Sequence, residues 1–182
     1  MAARLYLIRH GQTLWNAKKI YCGARDIGLS ARGKRQAAKL RRRLDRVAIH
    51  HTYSSDKKRA LQTARIIFKK ARIKELAGLR EMHFGIFEGL SYAQVLRRHP
   101  DTYSKWLKGP FSITIPGGES LHDFKKRVVK AMCKIAQAHP GQNVAVVCNG
   151  GVIGIFLRQL LKKRGFWGLV PGPATCTVVE YG

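Results

Sequence analysis

Apolar positions along the chain group at two spacings. Leu5 to Ile8 is a short continuous apolar run and predicts a strand. In the polar stretch that follows, Ala37, Leu40 and Leu44 recur at helical spacing, which puts their side chains on one face of a helix. Ser30 is the expected N-cap, since its hydroxyl can accept from first-turn N–H groups. The β-prone residues from Val47 to Tyr53 predict a second strand, and Lys57 to Lys70 a helix. Leu121, Phe124, Val128, Met132 and Ile135 form one stripe of a longer helix that His139-Pro140-Gly141 closes. Val144 to Val147 reads as a strand buried on both faces, Gly151 to Leu161 as a helix, and Thr175 to Tyr181 as the last strand. Short strands alternating with amphipathic helices predict an α/β fold around a mostly parallel sheet. Without an internal repeat, low-complexity segment or linker, residues 1–182 are expected to form one domain.

Composition narrows this picture. A chain of 182 residues, 45% hydrophobic, is enough for one well-buried domain. No stretch approaches the roughly 18 apolar residues of a membrane span, and the N-terminus lacks a signal-peptide cleavage pattern, so a cytoplasmic location is expected. Cys22, Cys133, Cys148 and Cys176 include no CxxC pair, and three lie in apolar stretches, which favours reduced thiols over disulfides or a zinc site. No metal or cofactor is called for. The 35 Lys and Arg against 10 Asp and Glu give a net charge of +25, which attracts anions. Basic groups such as Arg41-Arg42-Arg43, Lys125-Lys126-Arg127 and Lys162-Lys163-Arg164 are spread along the chain and read as solvated helix faces. A nucleic-acid partner is the lesser reading, because no recognition helix, stacked-aromatic pattern or zinc spacing accompanies the charge.

Candidate chemistry begins where the first strand ends, at Arg9-His10-Gly11. The C-terminal edge of a parallel sheet is where open α/β folds bind ligands. Arginine offers a planar fork to phosphoryl oxygens, and a neutral imidazole can take a phosphoryl group on one nitrogen while the other is held as a donor. The alternative is a strand-end histidine paired with backbone. The opening RHGQTLWN is followed by SSDKKRALQTA from Ser54, LREMHFGIFEG from Leu79 and PGGES from Pro116. Together these resemble the histidine phosphatase superfamily, the branch of the cofactor-dependent phosphoglycerate mutases and many small phosphatases. The resemblance covers nearly the whole chain in order, and implies a phosphoglycerate mutase-like three-layer α/β/α sandwich.

The resemblance further implies that His10 is the nucleophile, that Arg9 and Arg59 grip the phosphoryl oxygens, and that Glu81 protonates the leaving oxygen and then deprotonates water. Asn16 is either a further phosphate-contacting amide or a helix-turn contact. Glu88 is the weaker carboxylate, expected to shape a loop. At Asn149, in VVCNGG, the family carries a second histidine in a stretch similar to VVSHGG, with Gly150 beside it at the phosphate site. An asparagine amide can imitate the donor but not the charge. A deliberate replacement, a natural slow variant and a phosphoryl-binding pseudoenzyme all remain open. His83 is the histidine nearest in sequence to a catalytic candidate. Limited length favours a phosphatase, similar to the alpha-ribazole phosphatases, over mutase activity. The expected partner is a small phosphorylated metabolite, with a homodimer as a further possibility. Tyr92, Tyr103, Trp106 and Phe111 either line a lid or pack on the sheet. Lys18, Lys19, Arg25 and Lys108 are candidate contacts for an acidic substrate.

Overall fold

A computed structural model describes residues 1–162 and 167–182, so Lys163 and Arg164 of the last basic triplet lie outside the described residues. Five strands make one sheet: β1 (Ala3–Arg9), β2 (His51–Ser54), β3 (Ile73–Glu75), β4 (Asn143–Cys148) and β5 (Cys176–Tyr181). Their order is β3-β2-β4-β1-β5; the first four are mutually parallel, and β5 is an antiparallel edge on β1. Because side chains alternate across a strand, β4 feeds two cores. Val144 and Val146 join Leu5 and Leu7 against α6 (Leu121–Gln137) and α7 (Gly150–Leu160). Ala145 and Val147 join Ile8 against α2 (Ala31–Leu44) and α3 (Lys58–Ile67). Alanines dominate that second interface, and Ala37, Ala60, Ala64 and Ala145 are all fully buried. Each buried Val, Leu or Ile contributes about 1.5–3 kcal/mol, so the three-layer sandwich rests mainly on these two faces.

Local signals explain the helix starts. Ser30 accepts from the Gly33 N–H at 3.1 Å, and Ser120 accepts from the Asp123 N–H at 3.0 Å. The start of α3 differs, because Lys57 has no capping side chain and Asp26 reaches across to accept from the Lys58 N–H at 2.7 Å. That helix ends at Ile67, short of the expected Lys70. The second strand is also shorter than its composition predicts: Val47 closes a turn onto Leu44, and pairing with β4 starts only at His51. Strand β3 escapes the pattern entirely, since three residues, two of them charged, carry no readable periodicity.

Between Glu88 and Glu119 lie α4 (Tyr92–Arg98), begun by a Ser91–Gln94 capping box, and α5 (Pro100–Lys108). Tyr103 and Trp106 are buried core residues, and Phe111 packs under the Arg158 guanidinium at 4.3 Å. Tyr92 alone of the four lid candidates is exposed, at 47%. Among the described residues no helix is long and apolar enough to cross a membrane, and all four cysteines are free.

Candidate active site

Parallel pairing of β1 with β4 brings two distant motifs together. Arg9 is in register with Cys148, and the His10 N–H donates to the Cys148 carbonyl at 3.0 Å, so the residues following each strand lie side by side at the carboxyl edge. His10 is 3% exposed. Its Nδ1 lies 2.7 Å from the Gly11 carbonyl oxygen. A carbonyl can only accept, so Nδ1 carries the proton and Nε2 keeps a free lone pair. Burial, reinforced by the charges of Arg59 and Arg9 and only partly opposed by the Gly11 contact, lowers the His10 pKa to about 3. The imidazole is therefore neutral at physiological pH.

Arg59 projects from α3 and is 1% exposed. The SSDKKRALQTA segment also supplies Thr63, whose hydroxyl accepts from the Gly11 N–H at 3.0 Å and donates to the Arg59 carbonyl at 2.7 Å, locking the two motifs together. Each Arg59 nitrogen has a protein acceptor: Nε the Asn149 side-chain oxygen at 2.7 Å, Nη1 the Arg25 carbonyl at 2.9 Å, and Nη2 the Gly23 carbonyl at 3.1 Å. Asn149, also 1% exposed, uses its other polar atom to donate to the Leu79 carbonyl at 3.4 Å. Its amide thus bridges α3 and the Leu79 turn. Arg59 likewise anchors the 22–25 loop, and in this arrangement it bears on His10 through charge.

A cavity of about 160 Å³ opens beside these groups, lined by Arg9, Asn16, Glu81 and Gly150 among others. His10, Arg59 and Asn149 are not among its lining residues. Arg9 donates through Nη1 to the Pro171 carbonyl, and its buried Nε has no partner among the described residues. Burial lowers the pKa of Arg9, with Glu81 opposing the shift. The Glu81 carboxylate accepts from the Gly151 N–H in the first turn of α7 and from its neighbour Met82 N–H, both at 3.0 Å. A Cβ on Gly151 would lie 2.3 Å from a Glu81 oxygen, and one on Gly150 would lie 3.0 Å from the Arg9 guanidinium carbon, so both glycines keep this wall open.

The remaining candidates separate. Asn16 makes the helix-turn contact, its amide oxygen closing a capping box with the Thr13 N–H at 3.1 Å, and the residue also lines the cavity. Glu88 is a loop clip, one oxygen accepting from the N–H groups of Gly23, Ala24 and Phe84. His83 is exposed, accepts from the Gly85 N–H, and lies outside this cavity. Lys18, Lys19, Arg25 and Lys108 do not line it either. His139 is structural, paired with the Tyr53 hydroxyl at 2.9 Å and stacked on His51.

The sequence reading missed Arg127. Read as part of a solvated basic run, it instead forms a fork–fork pair with Glu119 at 2.6 and 2.8 Å and donates to the carbonyls of Gly78, Arg80 and Glu81. Its place beside α6's apolar stripe was the available signal: Arg127 follows Phe124 by three, and its guanidinium lies 4.9 Å from that ring centre.

A phosphoglycerate mutase-like α/β sandwich with an Arg–His pair at its carboxyl edge is the class that fold and site define. The chain belongs to the histidine phosphatase superfamily (branch 1), whose sequence profile matches residues 5–182. Phosphoglycerate mutase-like protein 4 of Arabidopsis thaliana is 38% identical over 156 residues, covering 83% of this chain and 68% of its own. The metal-independent phosphoserine phosphatase of the same plant is 36% identical over 163 residues, covering 85% and 67%. A solved structure of a putative alpha-ribazole-5'-P phosphatase from Escherichia coli superposes with a TM-score of 0.91 at 27% identity, covering 99% of this chain and 91% of that one.

Proposed function

We propose that this protein is a metal-independent phosphomonoester hydrolase that works through a phosphohistidine on His10. The observation that carries the reading is the fixed tautomer of His10: Nδ1–H held by the Gly11 carbonyl leaves a neutral, buried Nε2 as the nucleophile. Nε2 attacks phosphorus as the ester P–O bond breaks, and Glu81, entering protonated, gives its proton to the leaving oxygen. Water then attacks the phosphohistidine while the Glu81 carboxylate takes its proton, releasing inorganic phosphate and restoring the imidazole. Arg9 holds the phosphoryl oxygens with Asn16, and Arg59 supplies positive charge beside the nucleophile. Relatives named as phosphoserine and alpha-ribazole phosphatases support hydrolysis of a small phosphorylated metabolite. Asn149 cannot ionise and supplies no positive charge, so turnover is slower than an imidazolium at 149 would allow.

The Asn149 contacts also favour a second reading, a protein that binds phosphoryl groups without turnover. Rapid-quench incubation with p-nitrophenyl phosphate separates the two. An acid-labile, alkali-stable phosphate on His10, absent from His10→Ala, is expected. Stoichiometric phosphate binding with no covalent label and no p-nitrophenol release would leave the binding reading in its place.

A further inference from the structure

The cavity beside Arg9 carries more than a phosphoryl site. Its charged lining side chains among the described residues are Arg9 and Glu81, of opposite sign, in a chain whose net charge is +25. Five of the other twelve lining residues are aromatic, and Ile20, Met82 and Val170 add apolar surface. Tyr21 lies at the centre, its ring 4.9 Å from Phe84 and 4.9 Å from Tyr92, with Trp106 and Phe124 also on the lining. Exposure gives the cavity a depth: Tyr92 is 47% exposed, whereas Trp106 and Phe124 are 1% and 0%. Tyr92 therefore stands at the rim, and the walls become drier inward. Burial raises the pKa of both the Tyr21 and Tyr92 hydroxyls, so neither contributes charge.

Resting on the phosphatase reading, we infer that this cavity selects phosphomonoesters whose leaving group is neutral and carries one ring-sized apolar or aromatic moiety. A void of about 150 Å³ lined by apolar side chains holds one benzene, and this cavity measures about 160 Å³. A ring slotted against Tyr21 and Tyr92 gains offset or edge-on aromatic contact in addition to its burial. A leaving group bearing a carboxylate meets largely apolar walls around Tyr21, Trp106 and Phe124, and pays desolvation there. The surface charge draws in the phosphoryl end of any ester; the cavity wall discriminates by what is attached to it.

The test compares alkoxide leaving groups of similar intrinsic reactivity: 2-phenylethyl phosphate, glycerol 2-phosphate and O-phosphoserine. The first is expected to show kcat/KM at least about tenfold above the other two. Tyr92→Ala, at the exposed rim, and Phe84→Leu are each expected to shrink that ratio several-fold. O-phosphoserine turned over as well as the phenylethyl ester, or a ratio that neither variant moves, overturns the inference while leaving the phosphatase reading intact. Calorimetric binding of benzylphosphonate against 2-amino-3-phosphonopropionate asks the same question without turnover. Equal affinities overturn the inference, whereas benzylphosphonate preference with no His10-dependent hydrolysis of any ester upholds the cavity's selectivity and removes the phosphatase reading.

Discussion

Arg59 donates its Nε–H to the side-chain oxygen of Asn149 over 2.7 Å, and both residues are 1% exposed. Two buried polar groups satisfy each other here, and a guanidinium N–H that could face a phosphoryl oxygen is occupied. An imidazolium at 149 can take over the contact to the Leu79 carbonyl through Nδ1–H and offer Nε2–H to a phosphoryl oxygen, leaving Arg59 Nε without its present acceptor. Asn149→His is therefore expected to raise His10-dependent hydrolysis of p-nitrophenyl phosphate by roughly 10² to 10³, the scale of one preorganised donor to a developing oxyanion. Steady-state rates of Asn149→His and of the same variant carrying His10→Ala check this. An unchanged rate would mean that Asn149 already meets the site's need.

Gly151 stands in the first turn of α7, where alanine would ordinarily gain up to about 1 kcal/mol of helix stability. Its Cβ would sit 2.3 Å from a Glu81 oxygen, so the carboxylate has to swing away and lose the Gly151 N–H. Gly151→Ala is expected to lower kcat at least about tenfold while the melting temperature stays within a few degrees of the parent. Parallel kinetics and thermal melts decide it; full activity would show that Glu81 is not the proton donor.

Arg127 holds the strand-to-loop segment that carries Glu81, through three carbonyls and the bidentate Glu119 pair. Arg127→Met leaves these acceptors without donors, and about 1–3 kcal/mol of stability should be lost. As a positioning residue it should affect kcat more than KM. Arg127→Lys should restore little, because an ammonium cannot reproduce the planar fork. Denaturant midpoints together with separate kcat and KM values for both variants provide the check.

His10 also links stability to pH. Its folded pKa is about 3, below the ordinary 6.5, so between these values the unfolded chain binds a proton that the native state does not. Stability from this site is complete above pH 6.5 and falls as pH drops toward 3. At pH 5 the loss from one such group is roughly 2 kcal/mol. Urea unfolding at pH 7.5 and pH 5 should show the wild type losing about that much more than His10→Asn, whose side chain stays neutral. Equal losses in the two proteins would argue against a buried neutral imidazole.

Local chemistry made much of this protein legible in the sequence. Ser30 announced its helix because a cap acts within three residues, and the Leu121–Ile135 stripe declared its buried face because helical period is intrinsic to the backbone. The residue types of the site, Arg9, His10, Arg59 and Glu81, could be named from motifs, as could the departure at Asn149. Tertiary structure alone decided what each side chain faces. Asp26 caps α3 from a loop 32 residues away, Arg127 turns from a basic surface run to hold carbonyls near Glu81, and Asn149 spends both polar atoms on Arg59 and Leu79. Hydrogen bonds and charge act over a few ångströms, and the β3-β2-β4-β1-β5 order determines which distant residues come that close.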